Sequence, residues 1–134
     1  RLKMGPEIDI WSFGCIAFEL LFGKPLFYGS DELNMLQLMQ VRLGKFPNFI
    51  IRNSPCMNDF FDKENVKDVD TFIERLDDVY RRRNLETLMY SVLIRDSDVV
   101  PLLYDLVKNC LLFDADKRLQ AKDIVNHPFL MHEF

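Results

Sequence analysis

Histidine, cysteine and glycine are scarce in this chain, and each scarcity closes off a class of chemistry. There are two histidines, His127 and His132, set five apart with no cysteine or carboxylate pattern around them suited to zinc. The three cysteines, Cys15, Cys56 and Cys110, are odd in number, widely spaced and form no C-x-x-C pair. That excludes a disulfide scaffold and suggests free thiols in a reducing compartment. Five glycines leave no G-x-G-x-x-G loop with which to cradle phosphate. Basic residues are the minority sign, 17 against 21 acidic for a net charge of −4, which argues against a dedicated nucleic-acid surface. No apolar run approaches the ~20 residues that span a bilayer, and no signal-peptide pattern opens the chain. The first residue is Arg1 rather than Met, so the sequence reads as soluble, intracellular and incomplete at its start.

Apolar residues, by contrast, are plentiful. They make up 49% of the 134 residues and include 12 phenylalanines, enough to fill a core. Their spacing predicts a mainly helical chain. Residues 8–22 are apolar on nearly every face (Ile10, Trp11, Phe13, Ile16, Ala17, Phe18, Leu20, Leu21), which predicts a buried central helix. Glu7 and Asp9 suit its positive N-terminal end, and Gly23 with Pro25 stops it. Ser30 is the expected N-cap of an amphipathic helix over residues 31–43 that ends at Gly44. Residues 46–51 suggest a single turn. Val69, Phe72, Ile73, Leu76, Val79 and Tyr80 have helical spacing within residues 67–82, whereas 85–94 fits either helix or extended chain. Residues 99–112 predict a clear buried helix, and 121–126 a last short one closed by Asn126 and Pro128.

Three spaced motifs then carry a resemblance. Asp9-x-Trp11-Ser12-x-Gly14 with Glu19-Leu20, the loop Gly23-Lys24-Pro25-Leu26-Phe27 with Gly29, and Leu111-Leu112 followed by Asp114, Arg118, Ala121, Ile124 and His127-Pro128-Phe129 stand in this order. Together they resemble the C-terminal helical part of the large lobe of a eukaryotic protein kinase, over nearly the whole chain. The longer stretch at about 45–98 resembles the insert of the cyclin-dependent, mitogen-activated and SR-protein kinase group. Within it, Gly44-Lys45-Phe46-Pro47-Asn48-x-x-Ile51-Arg52 with Phe60-Phe61-Asp62 is most similar to the pre-mRNA-processing factor 4 kinases, with SR-protein kinases next.

The resemblance implies roles for particular residues. Asp9 would accept backbone N–H bonds from the catalytic loop, tying it to a rigid helix, although an acidic residue at a helix start needs no such task. Arg118 would hold the glutamate of the Ala-Pro-Glu motif, which guanidinium can grip bidentately; the ordinary alternative is a surface ion pair with Asp114 or Asp116. Gly5-Pro6-Glu7 is not that motif, because Glu7 lies too close to Asp9. Ile16 and Leu20, one turn apart, match the anchors of the hydrophobic stacks, and Glu19 has a place on the peptide-substrate side. Arg81-Arg82-Arg83 reads as a solvated helix end or a docking patch, and His127 as a packed or capping residue.

No residue here is expected to be catalytic, cofactor-binding or metal-binding, since neither a His-Arg-Asp loop nor an Asp-Phe-Gly triplet is present. The parent kinase would use ATP and Mg²⁺ on Ser or Thr of protein substrates, splicing factors in the nucleus and also the cytoplasm, with no membrane or direct nucleic-acid partner. The missing N-terminal part of the kinase domain would be the partner of this segment, which alone would be inactive. The alternatives are a non-catalytic kinase-derived docking or interaction module, and an unrelated helical bundle. A buried Arg118 without its glutamate would cost ~3–5 kcal/mol and leave isolated residues 1–134 molten or aggregation-prone.

Overall fold

The computed structural model describes residues 6–55, 57–76, 82–91 and 98–132. They belong to two compact units, one drawn from Arg1–Leu26 and Met89–Phe134, the other from Phe27–Leu88. Helix α1 (Pro6–Phe22) opens the first unit and packs against α7 (Val99–Cys110). Glycine at position 14 sets that approach: a Cβ there would lie 2.8 Å from the Cys110 Cβ and 3.0 Å from a Leu111 methyl. Helix α1 stops where Gly23 enters the left-handed region at φ 77° and returns its N–H to the Glu19 carbonyl at 2.7 Å.

Helix α1 is not buried on all sides, contrary to the expectation from its composition. Its buried residues are Ile10, Gly14 and Phe18, successive turns of one stripe. On the opposite face Phe13, Ile16 and Leu20 are 38%, 56% and 82% exposed. The reason is geometric: α7 covers one face, and the described residues supply nothing for the other. Helix α7 has the cleaner pattern, burying Val99, Val100, Leu103, Leu106, Val107 and Cys110. It ends two residues before the expected limit, where the Leu111 N–H turns back to the Val107 and Lys108 carbonyls.

Beyond α7, a 3₁₀ turn at Ala115–Lys117 is capped by the Asp114 carboxylate, which accepts the Asp116 N–H. Helix α8 (Ala121–Val125) starts with a capping box between Gln120 and Asp123. Pro128, expected only to close that helix, instead opens α9 (Pro128–Met131), since a proline is preorganised for a first helical position. His127 caps α9: its Nδ1 accepts the Phe129 N–H at 3.0 Å, and its Nε2 lies 2.7 Å from Asp105 Oδ2. The bond at Nδ1 leaves the proton of the neutral ring on Nε2, directed at Asp105.

In the second unit α2 (Glu32–Leu43) is capped by Asp31, not Ser30; the Asp31 carboxylate accepts the Asn34 N–H at 2.8 Å. Gly44 ends the helix at φ 91°. Short helices α3 (Asn48–Asn53) and α4 (Met57–Phe60) follow, then a two-stranded antiparallel ribbon of β1 (Phe61–Asp62) and β2 (Asn65–Val66), with Phe61 opposite Val66. The ribbon is a small β element, among the described residues, within the mainly helical fold expected. Two-residue strands have no alternation to read, and these are fastened by Gln40 of α2, whose Oε1 accepts the Val66 N–H and whose Nε2 donates to Asn65 Oδ1, both at 2.9 Å. Phe61 is buried and meets Phe46 edge-to-face at 5.4 Å.

Helix α5 (Val69–Glu74) is shorter than the helix expected over 67–82. Asp68, at φ 58°, begins it, and Arg75 ends it; residues 77–81 lie outside the described residues. Helix α6 (Leu85–Tyr90) settles the first part of the 85–94 ambiguity, and residues 92–94 lie outside the described residues. Among the described residues no helix is long and apolar enough to cross a membrane.

Candidate functional site

The strongest constellation is built where the segment after α7 returns to the first turn of α1. The 3₁₀ turn capped by Asp114 leaves Arg118 in extended backbone, φ −63° and ψ 150°. From there its guanidinium reaches three carbonyls: Nε donates to Leu112 at 2.7 Å, Nη1 to Glu7 at 2.9 Å and Nη2 to Phe113 at 3.3 Å. The group also lies over the indole of Trp11, 5.2 Å from the ring centroid, and Trp11 stacks on Phe113 at 6.2 Å. Carbonyl dipoles and an aromatic face are both attractive to a cation.

Burial lowers the Arg118 pKa from its ordinary value, while the nearby Glu7 and Asp114 carboxylates act in the opposite direction. The surface pair with Asp114 or Asp116 does not form. Asp114 spends its carboxylate on the 3₁₀ cap, and no ion pair to Arg118 occurs among the described residues. Nor is the guanidinium stranded, because it is half-buried and each of its nitrogens has an acceptor. The penalty of ~3–5 kcal/mol expected for an orphaned buried charge therefore does not apply to it.

Arg118 thus docks on the first turn of the helix that carries Asp9. Asp9 itself is exposed. At 100° per residue it falls on the same side of α1 as Phe13, Ile16 and Leu20, opposite the Ile10–Gly14–Phe18 stripe. Asp9, Ile16 and Leu20, singled out as tether and stack anchors, therefore share one continuous exposed face with Phe13: a carboxylate at one end, then three large apolar side chains. Glu19 is exposed on the flank of that face. It is also near Cys15, whose thiol is pushed up to about 11, chiefly by burial and then by the Glu19 charge.

Several contributors were not legible in the chain. Trp11 was read as an apolar helix residue and a member of the Asp9-x-Trp11-Ser12 motif, with nothing to announce that it forms the shelf under Arg118. The Asp105–His127 contact joins residues 22 apart, with no local pattern to announce it. Of the arginine run, Arg81 lies outside the described residues, Arg82 Nε donates to the Leu76 carbonyl at 2.9 Å, and the Arg83 carbonyl receives Arg42.

The sequence of motifs and this helical arrangement agree with the comparison to known families: the protein kinase domain model matches residues 1–130. The chain belongs to the protein kinase domain family. Among curated relatives, it is 34% identical over 128 residues to the mitogen-activated protein kinase mpkC of Aspergillus fumigatus, covering 96% of this chain and 29% of that protein. It is 35% identical over 131 residues to the serine/threonine-protein kinase ppk5 of Schizosaccharomyces pombe, covering 97% of this chain and 15% of that protein. A third relative, the mitogen-activated protein kinase HOG1 of Torulaspora delbrueckii, is 34% identical over 96% of this chain and 26% of its own length. The chain therefore spans less than a third of each of these relatives.

Proposed function

We propose that this chain is the C-terminal helical part of the large lobe of a serine/threonine protein kinase. The whole enzyme would transfer the γ-phosphate of ATP, with Mg²⁺, to Ser or Thr hydroxyls of protein substrates. The observation that carries this reading is the exposed face of α1. Phe13, Ile16 and Leu20 stand in solvent along one side of a helix whose other side is packed, and a contiguous apolar surface of that kind marks an interaction site.

In this reading the face receives the remainder of the lobe. Ile16 and Leu20 anchor it through apolar contact, while Asp9 accepts backbone N–H bonds from the catalytic loop and so fixes that loop on a rigid helix. Arg118 has five N–H donors and uses three, leaving one on each Nη for a carboxylate of the activation segment. These roles position the reactive segment and move no proton or phosphate. Glu19, on the flank, faces substrate. Among the described residues no group of three or more His, Cys, Asp or Glu side chains could hold a metal ion.

The finer reading, a kinase of the pre-mRNA-processing type acting on nuclear splicing proteins, rests on the insert residues Gly44 to Arg52 and Phe60-Phe61-Asp62. A full-length kinase containing this chain, given ATP, Mg²⁺ and either an Arg-Ser-repeat splicing protein or a myelin basic protein control, should phosphorylate Ser or Thr of the first preferentially. Asp9→Asn should lower kcat while the thermal transition stays in place. Preference for the control would sink the splicing assignment. Absence of transfer to either protein, with no His-Arg-Asp or Asp-Phe-Gly encoded upstream, would sink the kinase activity and leave a docking module.

A further inference from the structure

The second spaced motif ends on Gly29, a residue to which the proposed function gives no task. Within the second unit Gly29 lies against the first turn of α2. A Cβ at this position would stand 2.6 Å from the Met35 nitrogen and 2.9 Å from the Asn34 carbonyl carbon, so glycine is what lets the two backbones meet. Sulfur closes the contact. The Gly29 N–H donates to the Met35 Sδ at 3.0 Å, and both residues are partly buried. One residue on, the Ser30 Oγ donates to Asn34 Oδ1 at 2.5 Å, which pins the loop beside the thioether. A thioether is a weak acceptor, and it is also the atom of methionine that oxidants attack.

We propose that Met35 is an oxidation site, at which hydrogen peroxide makes a single sulfoxide epimer and thereby releases the loop before α2. In the reaction a sulfur lone pair attacks one peroxide oxygen and the O–O bond breaks. The departing hydroxide takes the proton of the transferred oxygen and leaves as water, so sulfur is oxidised by two electrons and peroxide is reduced by two. Sulfur carries two lone pairs, and reaction through one or the other gives opposite epimers. The Gly29 N–H covers one of them, and the 3.0 Å between nitrogen and sulfur cannot admit another oxygen atom. Oxygen therefore adds through the other. The new S–O bond draws electron density from sulfur and places the stronger acceptor away from Gly29. The Gly29 N–H then loses its bond in a partly buried place, where an unmade bond is costly. Nothing in this step needs ATP or a protein substrate, so its failure is separable from failure of the kinase reading.

The test is brief treatment of the full chain with hydrogen peroxide, followed by peptide mass mapping. Met35 should gain one oxygen, and only one of the two classes of methionine sulfoxide reductase, each specific for one epimer, should remove it. In the urea-unfolded chain, where no N–H covers the sulfur, both classes should be needed for full removal. Amide exchange at Gly29 should quicken about threefold on oxidation and return on reduction. Met35→Leu keeps the side-chain volume and has no acceptor. It should show the faster exchange from the outset and no response to peroxide, with circular dichroism checking its helicity. Three results would overturn the proposal: removal by both classes in the folded chain, a Met35 left intact while the 70% exposed Met131 is oxidised, or Gly29 exchange unmoved by oxidation.

Discussion

Replacing Arg118 by Met keeps most of the side-chain volume and removes the guanidinium, and the structure allows the loss to be worked out. Two short bonds disappear, to Leu112 at 2.7 Å and Glu7 at 2.9 Å, while the 3.3 Å bond to Phe113 counts for less. Hydrogen bonds to a charged group contribute ~1.5–3 kcal/mol when buried, and half-burial here brings each short bond to about 1 kcal/mol. The position over Trp11 adds about 0.5 kcal/mol. Arg118→Met should therefore cost about 2–3 kcal/mol. Arg118→Lys keeps the charge but has no fork with which to reach carbonyls on both segments, so it should cost about half as much. Urea denaturation gives the shift in midpoint, with an unchanged slope confirming that stability alone has moved. A second readout comes from the site itself. Trp11 is the only tryptophan of the chain, so loss of its cation and of the order at Phe113 should shift its emission to the red. A Met variant within 0.5 kcal/mol of the parent and with unaltered Trp11 emission would refute the tether.

Two further outcomes follow from packing and burial. Gly14→Ala gains about 1 kcal/mol of helix propensity but brings a Cβ to 2.8 Å from that of Cys110, and overpacking of this kind costs ~1–3 kcal/mol. It should be net destabilising in urea denaturation and Gly14→Val more so, whereas a Gly14→Ala chain more stable by the full propensity gain would show that α1 and α7 do not meet there. The Cys15 and Cys110 thiols are both pushed up from 9.0 to about 11, chiefly by burial. They should be nearly inert to Ellman's reagent at pH 8 until urea exposes them. Because the unfolded chain ionises first, the stability these thiols contribute is present below pH 9 and lost as pH rises toward 11; a flat stability curve across that window would contradict it.

Local pattern and tertiary contact divide this chain unevenly. The stop of α1 at Gly23, the amphipathic run of α7, and the end of α2 at Gly44 could be read from residue type because each depends on near neighbours. The three spaced motifs carried the family, and the residues of the candidate face were named before any fold was in view. Other features depended on which of several groups the fold brings within reach. Asp31 displaced Ser30 as cap because its carboxylate lies where the Asn34 N–H points. The ribbon at Phe61–Val66 exists through Gln40, 25 and 26 residues earlier in the chain.

The partner of Arg118 shows the same division most clearly. Sequence supplied a guanidinium beside two aspartates, and nearest-neighbour reasoning offered a surface ion pair. Folding turned Asp114 inward to its own cap and carried Arg118 across to a helix start 111 residues earlier, where carbonyls and an indole received it. By itself the sequence determined the mainly helical fold and the family, since these follow from side-chain type and spacing. Only the tertiary structure decided that α1 is packed on one face and bare on the other. Composition counts apolar residues, but burial depends on which of them the fold supplies with a neighbour.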